Sequence, residues 1–163
     1  MYLTTHAAAG ALIGTLIIQS PLAFLVGILS HFFLDIIPHY DGDLPLKSHN
    51  VFSLSQRHFN KIIAIILVES LLGAIVFYSL TTNSRLGLTS AMLWGITGSI
   101  LPDILQVLLL VLPKNKVLIA FDGLHNFYHY RAKRPVPIVL GLLTQLIALI
   151  LIVIPLINLI QTN

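Results

Sequence analysis

His31 and Asp35 stand four residues apart inside an apolar run from Gly27 to Ile37. On a helix that spacing puts both side chains on one face. His39 and Asp41 follow Pro38, the residue at which a continued helix is disfavoured. Imidazole and carboxylate groups are costly among apolar side chains unless something satisfies them. A divalent metal ion does so. Imidazole with carboxylate suits zinc, with manganese and iron as alternatives. The chain has no cysteine, which excludes thiolate ligands and thiolate nucleophiles.

Groups of the same type recur at His6, Asp103, His125 and His129. His125 and His129 share a face where their segment is helical. His6 and Asp103 each come from a separate apolar stretch. The expected metal ligands are therefore His6, His31, Asp35, His39, Asp103, His125 and His129. So many donors exceed the need of one ion and admit a second. Two ions about 3.5–4 Å apart suit hydrolysis of a phosphate ester, with an activated water as nucleophile. Asp35 or Asp41 then serves as the general base. Each group also has a structural use. His31 and Asp35 can form a buried hydrogen bond that locks helices together, and Asp103 can cap a helix after Pro102. Glu69, deep in an apolar stretch, is expected to pair with a hydroxyl or amide, or to relay protons.

These residues need helices to carry them. Thr4 or Thr5 can cap a first helix that runs to about Ile18, with Gly10 and Gly14 forming a small-residue pair that lets another helix approach. Pro21 suits the start of a second helix, which carries the His31–Asp35 pair and ends near Ile37. Both are short for a bilayer, which takes ~20 residues to cross. Residues 38–57 read as a polar loop. A third helix runs from about His58 to Tyr78, and a fourth from about Leu86 to Leu112, broken at Pro102. Val117 to Tyr130 reads as a short helix lying at a membrane interface, and Val136 to Ile160 as an aliphatic anchor whose one polar candidate is Gln145. Gly27–Asp35 also aligns without gaps on Gly95–Asp103, sharing Gly, Ile and Asp. The second and fourth helices run the same way, so a parallel pair of repeats is geometrically allowed.

The expected fold is an all-α polytopic membrane helix bundle, a single integral membrane domain over residues 1–163, with about five transmembrane or partly inserted helices. Composition agrees: 56% of residues are hydrophobic and 9% charged, and the mean hydropathy is +0.93. A soluble exterior needs more charge than that. The net charge of +3 rests on only nine basic residues, so no nucleic-acid partner is expected. The N-terminus lacks a basic region ahead of its apolar run and is read as retained. If every long apolar segment crosses, Lys47, Arg57, Lys61, Lys114, Lys116, Arg131, Lys133 and Arg134 share one side and Arg85 faces the other. That asymmetry makes the histidine-rich side cytoplasmic.

At these positions the sequence resembles the bacterial membrane-bound metal-dependent hydrolase family. The likeness rests on Thr5-His6 with Gly10, on the Gly-x-x-Ser-His-x-x-x-Asp pattern from Gly27 to Asp35, on Leu101-Pro102-Asp103, and on the histidine turn His125 to His129. The chain departs from the family in the order of the Pro-Asp and Ser-His elements, in Leu105 where a further Asp is usual, and in Asn126 where Arg is usual. It looks like a divergent or permuted relative. The resemblance implies an inner-membrane, multi-pass, metal-dependent hydrolase. The ligand set suits a phosphoester or lipid-linked substrate presented at the bilayer. A metal-ion or small-solute transporter using the same groups, and a structural membrane protein without catalysis, are the alternatives.

Overall fold

The computed structural model describes residues 1–40, 56–82, 88–129 and 136–162. Asp41, the second candidate base, lies outside them, as do Lys47, Arg85, Arg131, Lys133 and Arg134 from the charge argument. The described residues form six helices and no strand: α1 (Leu3–Leu16), α2 (Ser20–Asp35), α3 (Gln56–Thr82), α4 (Ser90–Val111), α5 (Lys116–Tyr128) and α6 (Ile138–Thr162). The all-α expectation holds, with α5 as the extra short helix.

Local chemistry sets several helix ends. Pro21 sits in the first turn of α2. Thr89 caps α4 by accepting from the Met92 amide at 3.1 Å, and Asn115 caps α5 by accepting from Val117 and Leu118 at 3.0 and 3.2 Å. α1 differs from expectation: it begins at Leu3 with no side-chain cap, because Thr4 gives its hydroxyl to the Glu69 carboxylate at 2.7 Å instead. Helix four is also not broken. It runs unbroken through Pro102, which is buried within it. Proline removes one amide donor from a helix, a cost of roughly 3 kcal/mol. Here α1 and α2 both pack along α4 and hold its path.

The bundle centres on a seam of glycines. A Cβ at Gly10 of α1 would collide with the Gly95 carbonyl, and one at Gly14 with the Ala91 carbonyl. A Cβ at Gly27 of α2 would stand 2.5 Å from the Gly95 carbonyl, and one at Gly98 would strike the Phe24 carbonyl. α1 and α2 therefore approach α4 at backbone contact, as the small-residue pair in α1 leads one to expect. The contacts fix direction too. Ser20 meets Ser90 (3.2 Å), Phe24 meets Trp94 and His31 meets Ser99, so α2 and α4 run parallel. Gly14 meets Met92 whereas the His6 carbonyl meets Ser99, so α1 runs against them. α6 lies along α1, with Tyr2 bonded to Gln145 at one end and Ala11 packed near Leu156 and Ile160 at the other. The start of α1, the end of α2, the last turns of α4 and all of α5 thus gather at one end of the bundle.

Among the described residues two helices are long and apolar enough to cross a membrane, over Ser90–Leu109 and Ile138–Gln161. This corrects the expectation of about five. α1 and α2 have 14 and 16 residues. At about 1.5 Å per residue they reach only about 21 and 24 Å, short of a hydrocarbon core of roughly 30 Å. In α3 the apolar stretch among the described residues is Leu67–Tyr78, again too short.

A candidate metal centre around Asp35

Every predicted ligand within the described residues comes to this end of the bundle. Asp35, at the last turn of α2, lies at the centre and is 1% exposed. Its Oδ1 is 3.2 Å from His6 Nε2, 4.0 Å from His39 Nε2 and 2.5 Å from the Met1 nitrogen. Its Oδ2 is 3.1 Å from His31 Nε2, 3.5 Å from His125 Nε2 and 3.9 Å from His129 Nε2. Asp103 reaches the group from α4, 3.7 Å from His31 Nε2, with 27% of its side chain exposed. The imidazoles of His6 and His31 stack with centroids 4.0 Å apart. Those of His39 and His129 meet edge to face at 4.8 Å.

The donors fall into two groups that share one carboxylate. His31, Asp35, Asp103 and His125 each place a donor atom within 4.8 Å of the others, and so do Asp35, His39 and His129. Ligands bound at ~2.1 Å to a tetrahedral ion stand roughly 3.4 Å apart, which is the spacing seen about Asp35. Hydrogen bonds account for only part of the convergence: the Met1 nitrogen bonds Asp35 Oδ1 and lies 2.8 Å from His39 Nε2, and His31 Nε2 meets His125 Nε2 at 2.9 Å. His6 is fully buried, and neither of its ring nitrogens makes a hydrogen bond among the described residues. Asp35 Oδ2, with three imidazole nitrogens within 4 Å, also accepts none. Buried polar atoms are normally satisfied, and the unbonded His6 nitrogens and Asp35 Oδ2 sit among further imidazole and carboxylate groups as in a ligand set. The residues present therefore fit a divalent ion.

The second shell supports this. A carbonyl can only accept, so His31 donates its Nδ1–H to the Ser99 carbonyl at 2.8 Å, and His39 donates its own to the Ile37 carbonyl at 2.6 Å. Each bond turns the ring so that Nε2, the nitrogen left for a metal ion, faces Asp35. Ser99 ties a third helix in, since its hydroxyl donates to the His6 carbonyl at 2.7 Å. Gln145 of α6 accepts from the Tyr2 amide at 2.9 Å and donates to the Tyr40 carbonyl at 3.1 Å, pinning both chain segments that flank the site.

Sequence reasoning passed over Ser99 and Gln106. Ser99 was visible as the partner of His31 in the alignment of Gly27–Asp35 on Gly95–Asp103. Gln106 was visible as a polar residue three positions after Asp103, on the same face of an apolar helix. Glu69 does pair with a hydroxyl, as expected. It takes both the hydroxyl and, at 3.3 Å, the amide of Thr4, beside an apolar cavity of about 310 Å³ between α1, α3 and α4. No protein-family model, curated protein or solved structure matches the chain.

Proposed function

We propose that the chain is a membrane-embedded, metal-dependent hydrolase of phosphoesters, lipid-linked ones included, with its centre at the cytoplasmic face. The observation that carries this reading is the convergence of imidazoles and carboxylates from four helices on the buried Asp35, with His6 and Asp35 Oδ2 left without hydrogen bonds. The resemblance to the membrane-bound metal-dependent hydrolases points the same way. So do the two apolar helices of spanning length and the broad exposure of large apolar side chains on α2, α4 and α6, surfaces that water does not favour.

His31, Asp35 and Asp103 hold one divalent ion, zinc first among the candidates, with Asp35, His39 and His129 placed for a second and His6 closing the buried side. An ion held there supplies Lewis acidity for a phosphoryl oxygen and a water that ionises near neutral pH. The protein supplies the rest. Asp35 sets the common origin of both groups. Asp103, the more open carboxylate, is placed to take a proton at the mouth of the site. The Ser99 and Ile37 carbonyls keep His31 and His39 oriented. A transport role would draw on Glu69, and that carboxylate is tied to Thr4.

The test is elemental analysis of the full chain purified in detergent without chelator, for wild type and for His31→Ala with Asp35→Ala, alongside a phosphoester panel. Bound metal near one or two equivalents in wild type, lost in the variant, is the expected result. Hydrolysis that EDTA abolishes and added metal restores completes it. Metal near zero in wild type would sink the reading.

A further inference from the structure

His125 meets the distance criterion for a ligand, but its hydrogen bonds assign it another duty. The amide nitrogen of Gln106 on α4 lies 2.8 Å from His125 Nδ1 and 3.1 Å from Asp122 Oδ1. Asp122 and His125 are three residues apart on α5 and present to Gln106 together. The Asp122 carboxylate decides which way the Gln106 amide points, because the opposite orientation would set two oxygens against each other. Gln106 therefore donates to both partners, and Nδ1 of His125 is an acceptor. A neutral imidazole that accepts at Nδ1 carries its proton on Nε2.

A second contact fits the same tautomer. His31 gives its Nδ1–H to the Ser99 carbonyl, and in its neutral form its Nε2 accepts from His125 Nε2 at 2.9 Å. The Gln106 contact thus places an N–H, and no lone pair, at His125 Nε2, and the His31 contact accommodates it.

Resting on the metal-centre reading above, we infer that His125 is not a metal ligand but the hydrogen-bond donor of the centre, and that Gln106 and Asp122 are its positioning residues. When an ion takes the lone pair of His31, the His125 N–H loses its acceptor. That N–H, whose nitrogen lies 3.5 Å from Asp35 Oδ2, is then free to donate to an oxygen of a bound phosphoester. A fixed donor aimed at an oxygen that gains charge is worth on the order of 10²–10³-fold in rate.

The experiment uses the full chain in detergent, with Co²⁺ as probe and bis(p-nitrophenyl) phosphate as substrate. His125→Gln keeps an N–H near the Nε2 position. It is expected to retain the cobalt content and visible absorption of wild type, while His31→Ala loses both. Hydrolysis is expected to fall about 100-fold in His125→Ala and less in His125→Gln. The double variant Gln106→Glu with Asp122→Asn reverses both hydrogen bonds. It draws the His125 proton to Nδ1 and turns a lone pair to the centre, so the cobalt spectrum should change as a nitrogen ligand is added. Cobalt loss in His125→Gln equal to that in His31→Ala, or an unchanged spectrum in the double variant, overturns the assignment while leaving the metal centre standing. A wild type that binds no cobalt overturns the centre and the assignment together. The metal readouts decide the matter whether or not this ester is a substrate.

Discussion

Gly27–Asp35 of α2 and Gly95–Asp103 of α4 align residue for residue, and in the fold they lie side by side, parallel and in that register. Gly27 rests on the Gly95 carbonyl, and His31 bonds Ser99 across a sequence separation of 68. His31 also reaches toward Asp103 at 3.7 Å. The shared residues do shared work: each glycine permits backbone contact, and each aspartate delivers a carboxylate to the same end of the bundle. The differences divide the labour. Where α2 has His31, a side-chain donor to the centre, α4 has Ser99, whose backbone carbonyl orients that donor. Where α2 buries Asp35 to 1% exposure, α4 leaves Asp103 at 27%. One copy makes the centre and the other braces it and opens it to the outside. A helix pair in parallel register thus builds an asymmetric site from nearly symmetric frames.

The sharpest way to break this comparison is to neutralise each aspartate in turn. Asp35→Asn is expected to abolish metal binding, because both donor groups include Asp35. Asp103→Asn, which removes the more exposed donor from one of the two groups, is expected to weaken it by at least about 10–100-fold, the range found when even supporting groups of a metal site are removed. Equilibrium dialysis with elemental analysis distinguishes the two, and equal losses would end the division of labour.

Acid should act on the α2 copy first. Metal-binding imidazoles must be unprotonated, and free imidazole titrates near ~6.5. Protons therefore compete with the ion, so affinity is greatest at alkaline pH and falls as the solution is acidified. Metal retained after dialysis at pH 5 as fully as at pH 8 would remove histidine from the ligand set.

The glycines test the frame itself. Gly95→Ala puts a Cβ into the Gly10 carbonyl of α1, backbone against backbone. We expect a loss of at least about 1–3 kcal/mol in stability from this overpacking. Gly123→Ala in α5 meets nothing within 4 Å and should gain about 0.5–1 kcal/mol from lower chain entropy. Thermal unfolding in detergent gives both signs.

Ser99→Ala is expected to be the mildest of the destabilising changes. It removes the hydroxyl bond to the His6 carbonyl and should cost about 1 kcal/mol. The backbone bond from Ser99 to His31 persists, so metal content should not change. Loss of metal in this variant would show that the α4 copy acts through its side chain.

The candidate site was legible in the sequence because an imidazole or carboxylate in an apolar helix is conspicuous. His6, His31, Asp35, His39, Asp103, His125 and His129 all arrive at one place. What the spacing did not disclose was direction. Whether His125 offers a lone pair or an N–H depends on Gln106, a neutral amide whose meaning comes only from Asp122 across a helix interface. Helix four was expected to break because local proline chemistry favours it. Burial of Pro102 between neighbouring helices overrides that preference. Fewer helices than five reach spanning length because α1 and α2, short already in the sequence, spend their apolar residues on packing against α4, and the apolar stretch described in α3 is only Leu67–Tyr78.

Gln145 gives the fold an order of completion. The residues of the candidate centre come from α1, α2, α4, α5 and the segments just after α2 and α5, and all of them leave the ribosome before α6 does. Chains are made from the N-terminus at ~5–20 residues per second, so the ligand helices emerge before the last one. α6 donates no ligand, yet through Gln145 it joins the Tyr2 amide to the Tyr40 carbonyl and closes the two flanks of the centre together. The nascent protein can thus present its metal ligands early, and it fixes their geometry only when its final helix arrives.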